Sequence, residues 1–206
     1  MRAVTVILAR GGSKGIPDKN IIDINGNPLI WYSINASLKS NVSETWVSTD
    51  SKKISTIAKS CGALVLDRPS ELATDTSQSD ESLIHFASKV EFDILVFIQP
   101  TSPLIKTEYI NEGIEMIMSG KFDSVFTGYK RWWDAIWDKE LNPIGWSIYN
   151  RPRRQDAEEC WVEDGMFYMT KRESLLASKL RYSGNMGIVE INQRDSFEVD
   201  TYEDLL

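Results

Sequence analysis

Short apolar segments rich in β-branched residues alternate with helical segments, and this alternation restricts the fold more than any other feature. The predicted strands are residues 4–9, 45–49, 63–66, 94–98, 124–127, 166–170 and 187–191. The predicted helices are residues 28–40, 81–90, 107–119 and 171–177, with a further helix that Asp50 or Ser51 caps and that ends at residue 61. Alternating strands and helices predict an α/β fold with a doubly wound, mostly parallel sheet flanked by helices, of the Rossmann-like kind. A length of 206 residues suits one domain spanning residues 1–206.

The alternation stops between residues 128 and 162, where five of the seven tryptophans fall. They are Trp132, Trp133, Trp137, Trp146 and Trp161. Because this many large apolar rings cannot all be exposed to water, we expect them either to line a ligand pocket or to pack against a second subunit. We favour the second reading and expect residues 128–162 to form a small excursion that makes a homodimer contact or covers the substrate.

The charge balance excludes two classes of partner. With 23 basic and 30 acidic residues the chain carries a net charge of −7, whereas general nucleic-acid and membrane-surface binders need a positive face. We therefore expect no nucleic-acid or membrane partner. Two cysteines and no segment typical of a signal peptide favour the cytoplasm. A zinc site with several histidines is excluded because His85 is the only histidine.

The segment from Arg10 to Asn20 follows the first predicted strand directly. It holds three glycines, Gly11, Gly12 and Gly15, and three cations against the single carboxylate of Asp18. Glycines let backbone amides approach phosphate oxygens, and the carboxyl end of a strand is where open α/β sheets bind ligands. The spacing fits neither the P-loop nor the dinucleotide fingerprint. We predict a phosphate-binding loop of a different type.

Several sequence blocks together resemble one known family. The first is Arg10-Gly11-Gly12-Ser13-Lys14-Gly15 with Lys19-Asn20. The others, in order, are residues 68–73 (RPSELA), 99–104 (QPTSPL), 153–156 (RRQD), 165–168 (GMFY) and 196–201 (SFEVDT). This order resembles the CMP-sialic acid synthetases, the acylneuraminate cytidylyltransferases, and covers nearly the whole chain.

The resemblance implies a Mg²⁺-dependent nucleotidyltransferase with two substrates. CTP would be coupled to the anomeric hydroxyl of an acidic sugar, such as a sialic, legionaminic, pseudaminic or ketodeoxy sugar acid, with release of pyrophosphate. It implies nucleotide contacts by Arg10, Ser13, Lys19 and Asn20, to which the loop adds Gly11, Gly12 and Lys14. Because negative charge develops on the phosphoryl oxygens, Lys19 and Arg10 are the catalytic cations we expect.

Glu198 and Asp200 form an acid-x-acid pair near the end of the chain. In an extended segment both carboxylates lie on one side, within reach of one hard cation. The resemblance implies a Mg²⁺ site here and a catalytic role for Asp200. The family has aspartate at both positions, so Asp200 is the firmer ligand, and a solvated acidic loop remains the alternative.

The sugar side of the predicted site rests on three residues. A guanidinium suits a sugar carboxylate, which makes Arg153 and Arg154 candidates, and the resemblance implies a sugar contact for Gln99. A surface cluster paired with Asp156, Glu158 and Glu159 is the alternative for the two arginines. On the nucleotide side we add Arg68 and Ser79. Asp164 stands where the family commonly has asparagine, a departure that bears on the identity of the sugar.

Two other functions stay open from the sequence. One is another sugar-nucleotide enzyme, either a pyrophosphorylase for a different nucleotide or a glycosyltransferase that uses Glu198 and Asp200 as its metal motif. The other is a non-catalytic nucleotide-binding protein with the tryptophan-rich excursion as its interface.

Overall fold

The computed structural model describes residues 1–156 and 158–205, and its centre is a seven-stranded sheet. Ala157, inside the predicted excursion, and Leu206 lie outside the described residues. The strands of the described residues are β1 Ala3–Leu8, β2 Asp23–Ile24, β3 Asn27–Pro28, β4 Glu44–Thr49, β5 Leu64–Asp67, β6 Ile94–Ile98, β7 Ser124–Arg131, β8 Cys160–Lys171 and β9 Met186–Glu190. The sheet order is β5-β4-β1-β6-β8-β7-β9, with β2 and β3 forming a separate hairpin. All seven predicted strands are present.

Only one strand of the sheet runs against its neighbours. β1 is parallel to β4 and β6, β4 to β5, and β7 to β9, whereas β8 is antiparallel to β6 and β7. The described part of the segment between β7 and β8 contains no crossover helix, so β8 runs back along β7 in the opposite direction. The two strands extend beyond the predicted bounds, to Arg131 and from Cys160, so both ends of the predicted excursion form an antiparallel ribbon. The segment that leaves the sheet is 132–159.

In the described part of the chain, α-helices cover both faces of the sheet. They are α1 Leu29–Leu38, α2 Lys52–Ser60, α3 Ser79–Ala87, α4 Thr107–Met118 and α5 Arg172–Ser178. One buried cluster unites the sheet with Ile34, Ile54 and Ile110 from α1, α2 and α4, and the other unites it with Phe86 and Leu175 from α3 and α5. The doubly wound, mostly parallel architecture is therefore confirmed. No helix in the described part of the chain is long and apolar enough to cross a membrane.

Two helix starts show how local chemistry sets the bounds. Ser51 caps α2, its Oγ accepting from the Ile54 amide at 3.4 Å, which confirms one of the two predicted caps. α3 begins at Ser79, two residues before the predicted start, because the Glu81 side chain accepts from the Gln78 amide at 3.3 Å. This earlier start makes Ser79 the first residue of α3.

A short hairpin, β2–β3, was not predicted. Its turn is Asn25-Gly26, with φ angles of 50° and 83°, the combination that a type I′ turn requires. The Tyr32 hydroxyl of α1 donates to the Ile24 carbonyl oxygen at 2.7 Å. The hairpin therefore links the end of the predicted phosphate loop to α1, and the Asn-Gly pair is the sequence signal that could have revealed it.

Candidate functional site

A cavity of about 470 Å³ lies at the carboxyl edge of the sheet, where the segments that follow β1, β5 and β6 meet. This volume is ordinary for a small-molecule site, and this edge is where open α/β sheets bind ligands. Its polar lining includes Arg10, Ser13, Lys14, Lys19, Asn20, Arg68, Asp75, Ser79, Gln99, Thr101 and Asp200. Nine of the predicted nucleotide, catalytic and sugar residues are thus gathered around one cavity, together with two that were not predicted, Asp75 and Thr101.

The phosphate loop is anchored by packing and by one buried amide. Asn20 is buried, and its Nδ2 donates to the carbonyl oxygen of Arg10 at 3.0 Å, which ties the end of the loop to its start. Ile16 is buried in a small apolar cluster with Leu29 and Val199. These contacts hold the backbone in place while the charged side chains of the loop face the cavity.

Gly11 and Gly12 lie outside the lining of this cavity. The Gly11 amide donates to Oδ1 of Asp50 at 2.9 Å, and a Cβ at Gly11 would stand 3.0 Å from that of Ser51. Gly11 therefore lets the loop approach the start of α2 closely. The phosphate contacts proposed for these two glycines stay a prediction, and the Gly11 amide already has a protein acceptor.

All three cations of the loop are paired with carboxylates. Asp75 binds two of them, with Oδ1 3.0 Å from Nη1 of Arg10 and Oδ2 2.9 Å from Nζ of Lys14. The hydrogen bond from Lys14 is the main reason that the pKa of Asp75 is lowered. Lys19 pairs with Asp200, Nζ to Oδ1, at 2.6 Å. The only sequence signal for Asp75 was its place in a polar loop.

Arg68 differs from the loop cations in its burial. It is 8% exposed, and its Nε and Nη2 find no hydrogen-bond partner among the described residues, while Nη1 is 3.4 Å from the Ser82 Oγ. Burial lowers the pKa of its guanidinium, and the charge of Asp50 opposes that shift. A buried guanidinium with idle donors on a cavity wall is suited to a ligand that brings acceptor oxygens.

The predicted acid pair lies where the end of the chain meets the cavity. Asp200 lines the cavity and Glu198 lies beside it, with Thr101 Oγ1 3.5 Å from Glu198 Oε1. Burial, then the charges of Asp200 and Asp164, raise the pKa of Glu198 to about 7. Val199, which separates Glu198 from Asp200 in the sequence, is buried, and its amide donates to the Thr101 carbonyl oxygen at 2.8 Å. The described residues contain no cluster of three or more His, Cys, Asp or Glu side chains arranged to hold a metal ion.

Gly165 brings the sugar-side candidate Gln99 next to the acid pair. Its φ is +82°, and a Cβ there would stand 2.8 Å from Gln99 Nε2 and 3.1 Å from Glu198 Oε1. Only glycine suits this crowded, left-handed position. Its neighbour Asp164 is half-buried, and burial raises the pKa of that carboxyl. Asp164 Oδ2 has no partner among the described residues.

Arg153 and Arg154 are not brought to the cavity of their own chain. Both are exposed on the 132–159 segment, at a short 3₁₀ turn that begins at Arg154. Arg153 Nε lies 3.9 Å from Asp156 Oδ2, a contact of the kind that the surface alternative predicted.

The 132–159 segment exposes many large apolar side chains. Trp137 packs edge-on against Trp146, and the Arg151 guanidinium lies 5.3 Å from the Trp133 ring centre. Exposed apolar residues of this segment and its ribbon are Trp132, Ile136, Trp137, Leu141, Ile144, Ile148 and Trp161. An apolar surface of this kind is typical of protein contacts.

Comparison with known proteins agrees with this architecture. The sequence model of the family described as cytidylyltransferase matches residues 4–145. N-acylneuraminate cytidylyltransferase B of Danio rerio is 37% identical, over 95% of this chain and 48% of its own length. The N-acylneuraminate cytidylyltransferase of Streptococcus agalactiae serotype V is 30% identical, over 100% of this chain and 52% of its own length. This chain spans about half the length of these curated relatives.

Solved structures share the fold. A CMP:2-keto-3-deoxy-manno-octonic acid synthetase complexed with CTP superposes with a TM-score of 0.77 at 21% identity, over 100% of this chain and 95% of that one. The 4-diphosphocytidyl-2C-methyl-D-erythritol synthase of Anaerococcus prevotii superposes with a TM-score of 0.67 at 12% identity, over 99% and 95%.

Proposed function

Since the chain belongs to the cytidylyltransferase family, we propose that it couples CTP to the anomeric hydroxyl of an acidic sugar, yielding a CMP-sugar and pyrophosphate. The hydroxyl oxygen would attack the α-phosphorus of CTP as its proton passes to the Asp200 carboxylate and on to solvent. The bond between that phosphorus and the oxygen bridging to the β-phosphate would break, and pyrophosphate would leave. The sugar would be a sialic, legionaminic, pseudaminic or ketodeoxy sugar acid. The names of the relatives in Danio rerio and Streptococcus agalactiae support an acylneuraminate or a similar acid.

The observation that carries this proposal is the gathering of Arg10, Lys14, Lys19 and Arg68 around one cavity in a chain of net charge −7. Of the described residues, four basic side chains but only two carboxylates, Asp75 and Asp200, line the cavity, and this excess of positive charge suits an anionic ligand. Arg10 and Lys19 would stabilise charge on the phosphoryl oxygens and on the leaving pyrophosphate. Ser13 and Asn20 line the same cavity and would complete the phosphate side.

Arg68 and Ser79 would hold the nucleoside part of CTP. Nε and Nη2 of Arg68 are buried donors without a hydrogen-bond partner among the described residues. Ser79, the first residue of α3, lines the same cavity. The carbonyl oxygen of the cytosine ring is an acceptor that a guanidinium can bind.

Asp200 and Glu198 would hold Mg²⁺. Carboxylate oxygens are the donors that this hard cation prefers. The two residues lie near Asp164, and among the described residues Lys19 is the one cation paired directly with this acidic group. The bound ion would neutralise charge on the triphosphate and make the sugar hydroxyl easier to deprotonate. Lys19 would keep Asp200 oriented toward the cavity.

The sugar would contact Gln99, which lines the cavity beside Glu198. Arg153 and Arg154 would bind the sugar carboxylate, although both lie away from the cavity of their own chain. Their role therefore requires the 132–159 segment to reach the cavity of a second copy, which fits the apolar side chains that this segment exposes. We accordingly propose a homodimer. The cytoplasm is the proposed location, supported by the two free cysteines.

One assay tests the proposal directly. The protein is incubated with CTP, Mg²⁺ and a panel of sugar acids, and pyrophosphate release is followed. Turnover with at least one sugar acid is expected. Turnover only with another nucleotide and a sugar phosphate would instead indicate a pyrophosphorylase. Tight CTP binding without turnover would indicate a non-catalytic nucleotide-binding protein.

A further inference from the structure

The Asp75 carboxylate bridges two cations of the phosphate loop. Both of its oxygens are engaged, one with Arg10 at 3.0 Å and the other with Lys14 at 2.9 Å. Nη1 of Arg10 also donates to the Thr74 carbonyl oxygen at 2.7 Å. The segment between β5 and α3 thus presents an anion to the same cations that the proposed function assigns to the triphosphate.

The Asp75 segment keeps its own shape independently of the loop. Oγ1 of Thr74 and Oγ of Ser77 are 2.6 Å apart, and the Ser77 hydroxyl donates to the Glu71 carbonyl oxygen at 2.9 Å. The contacts from Arg10 and Lys14 are what hold this turn against the loop. Because the hydrogen bonds within the turn involve neither cation, we expect the turn to keep its shape when these contacts break.

The two ion pairs are also weak enough to be replaced. The side chains of Asp75 and Lys14 are 45% and 75% exposed, and exposed pairs contribute little to stability. A triphosphate offers several negative charges to the same two cations and is the stronger partner. A polyphosphate that binds Arg10 and Lys14 can therefore displace the single carboxylate of Asp75 from them.

Building on the proposed function, the geometry points to Asp75 as an internal counterion that occupies the polyphosphate position and is displaced when CTP binds. As pyrophosphate leaves, the carboxylate returns to Arg10 and Lys14. Asp75 thus sets the affinity of the loop for polyphosphates: it weakens CTP binding and favours release of pyrophosphate.

Calorimetric titration with inorganic pyrophosphate, CTP and cytidine tests this role. Asp75→Asn is expected to bind pyrophosphate and CTP about two- to tenfold more tightly than the unaltered protein, the range for losing exposed competing ion pairs. Cytidine carries no phosphate, so its affinity should not change. Asp75→Ala, which leaves no side-chain acceptor for Arg10, should show an equal or larger gain. In turnover, pyrophosphate should inhibit both variants more strongly.

Asp18→Asn is the matched control. Asp18 lies in the phosphate loop itself, and its replacement by asparagine removes the same charge. Its carboxylate pairs with Lys53 at 2.5 Å, and it does not line the cavity. Its φ of 56° is one that asparagine also adopts. We expect pyrophosphate affinity to change less in this variant than in Asp75→Asn.

The outcomes separate this inference from the proposed function. Equal or weaker pyrophosphate binding by Asp75→Asn, or an equal gain in Asp18→Asn, overturns the counterion role and leaves the transferase proposal intact. Absence of turnover with every sugar acid refutes the transferase proposal alone, because the binding measurements do not depend on turnover. An unaltered protein that binds no pyrophosphate overturns both.

Discussion

The Nζ of Lys19 lies 2.6 Å from Oδ1 of Asp200, which joins the first loop of the sheet to the last segment of the chain. The lysine side chain is 16% exposed and the aspartate side chain 61%. The cation is therefore held within the cavity wall while the carboxylate stays open to a ligand.

Replacing this lysine tests its part in the reaction. Lys19→Ala should reduce turnover at least about a hundredfold, the loss expected when a charge contact to the transition state is removed. The measurement is pyrophosphate release at saturating CTP. Lys53→Ala serves as the control, because Lys53 pairs with Asp18 outside the cavity and should leave turnover nearly unchanged. Near-normal turnover of Lys19→Ala would remove Lys19 from the mechanism.

Asp200→Asn tests the proposed metal site. The variant keeps the size of the side chain but loses a charged oxygen donor, so half-maximal activity should require more Mg²⁺. A Mg²⁺ titration of turnover gives the answer, with Glu203→Gln as control, since Glu203 is an exposed acid of the same terminal segment. An unchanged titration for Asp200→Asn would place the metal elsewhere.

The Arg68→Met variant tests whether Arg68 serves CTP binding rather than the stability of the fold. Because the guanidinium is buried with idle donors, an apolar side chain of similar length should leave the melting temperature unchanged or raise it. CTP affinity should fall about tenfold or more, as a charged hydrogen bond is lost.

Arg172→Met is the matched control for Arg68. The Arg172 guanidinium donates to the carbonyl oxygens of Val90 at 2.9 Å and Ala87 at 2.7 Å, so its loss should lower the melting temperature and spare CTP binding. If Arg68→Met melted lower and bound CTP normally, Arg68 would be a structural residue.

The fold was predictable because its signals are local. The apolar run of β6 and the loop that follows β1 can each be recognised within a few residues, and the resemblance to acylneuraminate cytidylyltransferases is confirmed by the relatives. Lys19 and Asp200 were each predicted singly. Their pairing was not, because 181 positions separate them and only the folded sheet brings them together.

The remaining features depend on tertiary contacts that no local pattern encodes. Asp75 has no motif, and its role emerges only from its two partners. The direction of β8 follows from the missing crossover helix, whereas the predicted strand pattern is the same for either direction. Arg153 was predicted in the site because a guanidinium suits a sugar carboxylate, and among the described residues it does not line the cavity of its own chain.

The carboxylate of Asp123 makes the stability of the fold depend on pH in the acidic range. It accepts from Lys171 Nζ at 2.8 Å and from the Asn185 amide at 3.0 Å, and the bond from Lys171 is the main reason that its pKa is lowered. Because the pKa of Asp123 is lower in the folded state than in the unfolded state, its ionised form stabilises the fold at pH values above the ordinary pKa of about 3.9. This stabilisation is lost as the pH falls from about 3.9 to the folded-state pKa.

Asp123→Asn should therefore melt below the unaltered protein at neutral pH, and the gap should narrow between about pH 5 and pH 3. Thermal melts across this range measure the gap. Asp67→Asn, at the exposed end of β5, controls for the change in net charge. A gap that stayed constant with pH would show that Asp123 acts without its charge.

The homodimer proposal is tested on the exposed side chains of the 132–159 segment. Sedimentation at micromolar concentration should show a dimer, and a double variant, Ile136→Lys with Ile148→Lys, should shift it to monomer because charges are then placed in an apolar contact. Met118→Lys, at the exposed end of α4, should leave the dimer intact. A monomeric unaltered protein would contradict the proposal.

A mixing experiment then tests whether one subunit serves the cavity of the other. Lys19→Ala and the double variant Arg153→Ala with Arg154→Ala should each be nearly inactive alone. If the two arginines act on the cavity of the second copy, a mixed dimer contains one cavity with both an intact Lys19 and intact arginines. Co-refolding the two variants should then restore activity to about a quarter of normal, since half of the dimers are mixed and each has one complete cavity of two. If the arginines act within their own chain, no cavity is complete and the mixture stays inactive.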